Sequence, residues 1–413
     1  MANFDKKLSE YADLVIRAGL NIGQGQTLWL NCATDCAMFA TMLAQAAYSA
    51  GAGDVVVDWS NAQLSRLRYL NALEEVFHRP PDYTIEKYRN MASIGAASLA
   101  LLSTDLEAAA GINPVRVQNE QKALGEHPVV NDYVRRRAIG EWQWSVAGCV
   151  TPQWAKKVFI GRTEEQAVKM LWDAVFNSVL VTGDGLSKQK WQIKTQKGLE
   201  RIARLNNYGF KSLSYKNSIG TELNVELPNG HYWAGCSMHT KNGTKFVPNL
   251  PTDEVFTTPR REGINGTIIA SRPMNTPAGL VEGLGLVLRA GKIVESTARA
   301  GQNILAALLD TDEGARYLGE IALVEHDSPV SMQNMLFYNT LFDENASCHF
   351  ALGRGYPLIR GAETLSKNEQ SKLGLNCSAI HCDFMVGTPD LEITGVTKEG
   401  RFITVFEEGK FVI

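Results

Sequence analysis

The run "HCDFMVG", residues 381 to 387, places a histidine and an aspartate two positions apart in an apolar setting. Its neighbours predict a buried strand, and strand side chains alternate between two faces. His381 and Asp383 would therefore share one face, whereas Cys382 would point to the other. Because burying an imidazole and a carboxylate together costs free energy, the pair needs a partner such as a metal ion, a charged side chain or a water network.

Other side chains that can bind a metal occur in the second half of the chain, each beside apolar or turn residues. They are Glu254 in "NLPTDEVFTTP", Glu320 in "YLGEIALVEHDSP", and His349 and Tyr356 in "ENASCHFALGRGYP". With the histidine–aspartate pair they form a mixed set of nitrogen and oxygen donors. Such a set suits zinc, cobalt or manganese better than a closed thiolate site does.

Each of these residues also has a purely structural interpretation. His349 could be a hydrogen-bonded interior histidine, and Glu320 could pair with Arg316 four residues earlier. Glu254 could be an ordinary loop carboxylate, and Tyr356 could pack beside a proline with its hydroxyl bound to the backbone. The residue pattern alone leaves these interpretations open, and the histidine–aspartate pair argues most strongly for a metal.

The composition limits the class of protein. The chain has 413 residues, 45% hydrophobic and 21% charged, which is typical of a globular protein with more than one core. A net charge of −3 gives no reason to expect nucleic acid or an anionic membrane as partner. The amino-terminal residues lack the apolar core of a signal peptide, and no apolar run is long enough for a membrane span. The seven cysteines show no spacing typical of a disulfide framework, which fits a reducing compartment. We therefore expect a cytoplasmic protein.

The order of predicted elements indicates the fold. In the first half the apolar runs "QTLWLNC", "DVVVDW" and "SLALLST" alternate with helical patterns, which predicts a parallel sheet flanked by helices. The second half alternates as antiparallel strands do, includes a few helices, and has a hairpin signal in the Pro-Asn-Gly run at residues 228–230. We predict an α/β domain over residues 1–190 and a largely antiparallel α+β domain, carrying the metal site, over residues 191–413. The first βα loop lacks G-x-G-x-x-G, so no nucleotide cofactor is expected.

Four segments of the second half resemble one family in sequence and in order. They are "TDEVFTTP", "LGEIALVEHDSP", "FDENASCHFALGRGYP" and "IHCDFMVGTPDLEITG", and together they are similar to the aminopeptidase T, aminopeptidase S and PepS family of metallo-aminopeptidases. The opening "YADLVIRAGLNIGQGQTL" and the segment "TPQWAKKVF" extend the resemblance over essentially the whole chain. In the family a neutral residue often stands near the positions of Glu325 and His326. Their role in the site is therefore left open, and they are not counted as site residues.

The resemblance implies a metal-dependent aminopeptidase that removes N-terminal residues from short peptides with a free N-terminus. It implies two divalent ions per subunit, zinc, cobalt or manganese, held by Glu254, Glu320, His349, Tyr356, His381 and Asp383. Glu320 would be the bridging ligand or the general base, and Tyr356 a ligand or a stabiliser of the oxyanion. A homodimer with its sites facing an enclosed cavity is also implied.

Three alternative functions follow from the same residues. One is a different dimetal amidase or dipeptidase, which would accept substrates whose amino group is blocked. Another is a metal-stabilised binding protein without turnover, which would unfold when its metal is removed. A serine or cysteine nucleophile has the least support, because G-x-S-x-G is absent and Cys348 and Cys382 would point away from their neighbouring histidines.

Overall fold

The computed structural model describes residues 2–104, 111–276 and 278–413. Backbone contacts divide the chain into two compact units. The first comprises Met1–Ile193 and Ser237–Pro251, and the second comprises Lys194–Cys236 and Thr252–Ile413. That the ranges 1–190 and 191–413 fold as independent domains stays a prediction.

The described helices and strands follow in chain order. The helices are α1 (Ala2–Leu14), α2 (Ala37–Ala50), α3 (Ala62–Asn71), α4 (Asp82–Ser93), α5 (Pro114–Glu126), α6 (Pro128–Ala138), α7 (Pro152–Val158), α8 (Glu164–Ser178), α9 (Ser187–Tyr208), α10 (Gln302–Leu309), α11 (Thr340–Asp343) and α12 (Lys367–Lys372). The strands of the first unit are β1 (Thr27–Ala33), β2 (Asp54–Ser60), β3 (Ala97–Leu102) and β4 (Trp144–Gly148). The next strands are β5 (Ser212–Lys216), β6 (Glu222–Glu226), β7 (Ala234–Gly235), β8 (Met238–His239), β9 (Lys245–Phe246), β10 (Asn249–Leu250), β11 (Val255–Thr257), β12 (Ile264–Ile269), β13 (Met274–Thr276), β14 (Gly279–Val281), β15 (Gly285–Arg289) and β16 (Lys292–Thr297). The last are β17 (Leu318–Leu323), β18 (His349–Gly353), β19 (His381–Met385), β20 (Glu392–Val396), β21 (Phe402–Glu407) and β22 (Lys410–Phe411).

The first unit contains the predicted parallel sheet. Its strands have the order β10-β4-β3-β1-β2, and all neighbours run parallel. Leu28 and Leu30 of β1 are fully buried, which fits a central strand covered on both faces. Helix α8 begins with the capping box formed by Thr163 and Gln166. No helix of the described residues has both the length and the apolar character that crossing a bilayer requires.

The second unit is built on two antiparallel sheets. An eight-stranded sheet has the order β16-β15-β12-β6-β5-β20-β21-β22, and a five-stranded sheet has the order β19-β18-β17-β11-β7. Side chains of both sheets form one buried cluster, in which the rings of Tyr215 and Phe350 lie 5.2 Å apart. Burying each large apolar side chain in such a core stabilises the fold by roughly 1.5–3 kcal/mol. The core therefore fixes one face of the five-stranded sheet.

The predicted turn at residues 228–230 forms, with the His231 amide donating to the Pro228 oxygen at 3.2 Å, but the prediction that it closes a hairpin is wrong. Strands β5 and β6 pair from Ser212 with Glu226 to Lys216 with Glu222, so the turn between them lies at residues 217–221. There Asn217 Oδ1 accepts the Thr221 amide at 3.0 Å. Both the Asn-Ser-Ile-Gly run and the Pro-Asn-Gly run have turn-forming residues, and strand register decides which one closes the hairpin.

Candidate metal centre

Of the six predicted ligands, four lie on strands of the five-stranded sheet, Glu254 directly precedes β11, and Tyr356 follows β18 in a loop. Strand pairing joins Asp383 to Ala351 and Ala351 to Glu320 in one row across the sheet. The next row joins Met385 to His349, Ala322 and Phe256. Because alternate residues share a face, these two rows lie on the same side of the sheet, together with His381. The opposite side carries the buried apolar residues of the core.

Small residues leave room for this cluster. Ala351 stands between Glu320 and Asp383 in the first row, and a larger side chain there would fill the space that they share. The pairing of β17 with β18 is irregular between Leu318 and Glu320, as in a β-bulge, a feature common beside active sites. A Cβ on Gly319 would lie 2.4 Å from the backbone of Arg354, so only glycine permits this close approach.

The side chains come together as two overlapping groups. Glu254, Glu320 and His349 form one, and Glu320, His381 and Asp383 form the other, with the potential ligand atoms of each group within 4.8 Å of one another. His349 Nε2 lies 3.2 Å from a Glu254 oxygen, and His381 Nε2 lies 3.4 Å from oxygens of both Glu320 and Asp383. Glu320 belongs to both groups and is therefore the central residue.

Both histidines are oriented by backbone carbonyls. His349 Nδ1 lies 3.1 Å from the Ser347 oxygen, and His381 Nδ1 lies 2.7 Å from the Arg354 oxygen. Since a carbonyl only accepts hydrogen bonds, each Nδ1 must carry the proton. Without a cation the carboxylates hold a second proton on Nε2, and a bound cation would displace that proton and take the Nε2 lone pair, which is the usual arrangement of a metal-binding histidine.

Burial and like charge make this cluster electrostatically unfavourable without a cation. Burial, followed by the charges of Glu254 and Asp383, raises the pKa of Glu320 to about 8. Burial lowers the pKa of His349, but the hydrogen bond that its protonated ring donates to Glu254 and the charges of the surrounding carboxylates outweigh burial and raise that pKa to about 10. Glu320 and His349 are only 4% and 2% exposed, so water screens little of this interaction. A bound cation would remove the repulsion.

Tyr356 lies beside the two groups. Its ring is 5.2 Å from that of His381 and 5.9 Å from that of Phe256, and the side chain remains 43% exposed. Burial of the hydroxyl and the negative charges of Glu320 and Asp383 raise its pKa well above the ordinary value. The hydroxyl consequently keeps its proton at neutral pH and can donate a hydrogen bond.

Glu344 is a site residue that the sequence analysis did not identify. It follows α11 in the short 3₁₀ segment Glu344–Ala346. Burial and the charges of Glu254, Asp383 and Glu320 raise its pKa well above the usual range, so its carboxyl group interacts electrostatically with members of both groups. The residue lies within the run "FDENASCHFALGRGYP", where the adjacent polar residues made it indistinguishable from a surface loop.

The donors fit divalent metal ions. Two imidazole nitrogens and several carboxylate oxygens converge on a buried face, and no cysteine belongs to either group among the described residues. Mixed nitrogen and oxygen donors suit first-row divalent ions, and buried carboxylates need a positive charge to balance them. The sharing of Glu320 provides a carboxylate able to bridge two ions.

Asn345 connects the two loops that bring carboxylates to the site. Its Oδ1 accepts the Asp253 amide at 2.6 Å, and its Nδ2 donates to the Leu341 oxygen at 3.0 Å. Asp253 precedes Glu254 and forms an ion pair with Lys194, with 2.8 Å between Nζ and Oδ1. Asn345 is fully buried, so these bonds do not compete with water. It therefore fixes the distance between the Glu254 loop and the Glu344 segment.

Replacing Asn345 by alanine should lower metal affinity about 10- to 100-fold, because the Glu254 loop loses the acceptor that orients it. Titration of the metal-free variant with zinc or cobalt, followed by calorimetry, measures the change. Asn207→Ala, at an exposed position of α9, is the matched control. Unchanged metal affinity in a folded N345A protein would contradict the positioning role.

Comparison with known proteins gives one consistent result. The chain is 37% identical to aminopeptidase AmpS of Bacillus subtilis (strain 168), over 100% of both chains. It is 36% identical to aminopeptidase T of Thermus aquaticus, again over 100% of both. The solved structure described as wild-type AmpT from Thermus thermophilus superposes with a TM-score of 0.90 at 35% identity, covering 99% of this chain and 100% of that one. The family described as thermophilic metalloprotease (M29) matches residues 4–411, and the chain belongs to this family.

Proposed function

We propose that this protein is a metal-dependent aminopeptidase that releases N-terminal residues from short peptides. The observation that carries the proposal is the pair of overlapping groups around Glu320. Relatives named aminopeptidases, similar over the full chain, support the same activity. Two divalent ions, zinc, cobalt or manganese, would be held by Glu254, Glu320, His349, His381 and Asp383, and Glu320, which belongs to both groups, would be the shared ligand.

Ions held by these residues would supply an activated water nucleophile at neutral pH and a Lewis acid for the scissile carbonyl. This chain's residues provide binding and proton transfer. Glu344 lies outside both ligand groups, and cations bound there would offset the negative charges that raise its pKa, so that its carboxylate could take a proton from the attacking water and return it to the leaving amine. The Tyr356 hydroxyl, which the resemblance offered as a ligand or a stabiliser of the oxyanion, is proposed for the second role: it would donate a hydrogen bond to the carbonyl oxygen as negative charge develops there.

The acidic site also explains a preference for a free amino terminus. The free α-amino group of a substrate would bind in the same site as the ions, and the carboxylate charge in excess of the ions' positive charge would favour a cationic amino terminus. A blocked amino group carries no positive charge and would leave these carboxylates without that partner. The proposed activity is therefore that of an exopeptidase.

The activity is tested with leucyl and arginyl p-nitroanilides and with an unblocked tripeptide, each compared with its N-acetylated form. Single residues should be released from the amino end of the free substrates, and the acetylated forms should be cleaved at least about 100-fold more slowly, since they lose charge-assisted bonds in a buried site. Equal cleavage of both forms would favour a general amidase. No turnover with any metal, but metal-dependent melting, would favour a binding protein.

A homodimer in the cytoplasm completes the proposal. Helix α3 buries no residue within the chain, and it exposes Leu64, Leu67 and Leu70 by 67%, 56% and 45%. Exposed apolar residues in a row are typical of a subunit interface.

All seven cysteines are free, which fits a reducing compartment such as the cytoplasm. Neither nucleic acid nor membrane is proposed as a partner.

A further inference from the structure

An aromatic side chain lies at the open end of the face that carries the candidate ligands. Phe256 of β11 is two residues from Glu254 and shares its face of the sheet, and it pairs with Ala322, which in turn pairs with His349. The other members of this row, Met385, His349 and Ala322, are 4%, 2% and 1% exposed. Phe256 is only partly buried. The row is therefore open to solvent at Phe256.

The ring of Tyr356 connects Phe256 to the metal centre. The centroids of the Phe256 and Tyr356 rings are 5.9 Å apart, and the Tyr356 ring is 5.2 Å from that of His381. The Tyr356 side chain is 43% exposed, so much of its ring surface also faces solvent. The two rings thus form an apolar border beside a candidate metal ligand.

The exposure of this border sets it apart from the core. Phe350 and Phe384, on the opposite face of the same sheet, are fully buried, as expected of rings whose role is to stabilise the fold. Phe256 and Tyr356 instead leave apolar surface in contact with water, and covering that surface with an apolar group is favourable. Apolar walls beside a few converging polar groups are typical of a site for a small ligand.

The chemistry of an aminopeptidase substrate brings one such apolar group to this place. The free α-amino group and the scissile carbonyl are attached to the same α-carbon, and both would bind at the metal centre. The first side chain of the peptide starts from that α-carbon, so it must contact the residues that border the ligands. The rings of Phe256 and Tyr356 are apolar residues at this border.

We propose that Phe256, together with the ring of Tyr356, binds the first side chain of the peptide and so selects substrates that begin with a large apolar residue over those that begin with glycine. The proposal rests on the proposed aminopeptidase function and names the substrate class for that site. Phe256 is then a specificity residue, which contacts the substrate but neither binds metal nor transfers a proton. Binding energy gained there raises kcat/KM for substrates with a matching side chain.

The test compares leucyl p-nitroanilide with glycyl p-nitroanilide, which lacks the side chain but keeps the amine, the carbonyl and the leaving group. Phe256→Ala removes the ring, and Phe256→Leu keeps an apolar side chain. Phe402→Ala, at an exposed position of β21, is the matched control. Melting temperature and zinc affinity are measured for every variant, because Phe256 is two residues from Glu254.

We expect the wild type to prefer the leucyl substrate in kcat/KM, and F256A to lower the ratio of leucyl to glycyl kcat/KM about 10- to 100-fold, as the loss of apolar contacts with a side chain of this size does. F256L should keep most of the ratio, and F402A should leave it unchanged. An equal loss on both substrates, or an altered melting temperature or zinc affinity with an unchanged ratio, would overturn the proposal. Failure of the wild type to cleave either anilide with zinc, cobalt or manganese would instead refute the proposed function.

Discussion

Replacing Glu320 by glutamine is expected to reduce kcat/KM on aminoacyl anilides by about 10²–10⁴-fold. Glu320 is the one residue common to both groups of candidate ligands, so the substitution weakens both at once. Glutamine has nearly the same shape and keeps one carbonyl oxygen. The loss would therefore report the missing charge and not a cavity.

The same substitution should stabilise the protein when no metal is bound. Burial and the neighbouring carboxylates make the charged form of Glu320 unfavourable, and glutamine carries no charge. The metal-free E320Q protein should thus melt above the metal-free wild type, although it has lost activity. Glu295→Gln, on the exposed strand β16, is the control and should change neither property. Activity near the wild-type level in E320Q would show that Glu320 is not the shared ligand.

Removing the metal from the wild-type protein is expected to abolish activity and to lower the melting temperature by about 5–10 °C. A ligand at 100 times its Kd stabilises a protein by about 2.7 kcal/mol, and each kcal/mol shifts the melting of a unit of this size by about 2–4 °C. The physical reason is the repulsion among the buried carboxylates, which a cation compensates.

Phenanthroline treatment, followed by gel filtration and addition of zinc, cobalt or manganese, measures both effects in one preparation. Activity and melting temperature should recover together, and the recovery in E320Q should be smaller. A chelator-resistant activity would remove the metal from the mechanism. A protein that recovers its melting temperature but shows no activity with any of the ions would be the metal-stabilised binding protein.

Much of the fold could be predicted from local patterns. The run "HCDFMVG" alternates as a strand does, and it forms β19 with His381 and Asp383 on one face and Cys382 buried at 8% exposure. The parallel sheet of the first unit and the antiparallel sheets of the second are confirmed. The hairpin turn was misplaced because two turn-forming runs compete and only long-range register distinguishes them. The family and its metalloprotease class are also confirmed by the comparisons.

The site was less accessible from sequence because its geometry depends on distant strands. Five predicted ligands come together, and their assignment as ligands stays a prediction. Glu344 was missed because nothing local in a polar 3₁₀ segment reveals its electrostatic interaction with Glu254. Local periodicity indicates on which face of a strand a residue lies, whereas only strand pairing determines which side chains surround it there.

Anomalous diffraction from crystals of the protein loaded with zinc or cobalt is the most direct test of the central claim. We predict two adjacent peaks, one contacted by Glu254, Glu320 and His349 and the other by Glu320, His381 and Asp383. A single peak would reduce the site to one ion and leave Glu320 without a bridging role. Peaks elsewhere, with none at these side chains, would contradict the metal centre and with it the proposed mechanism.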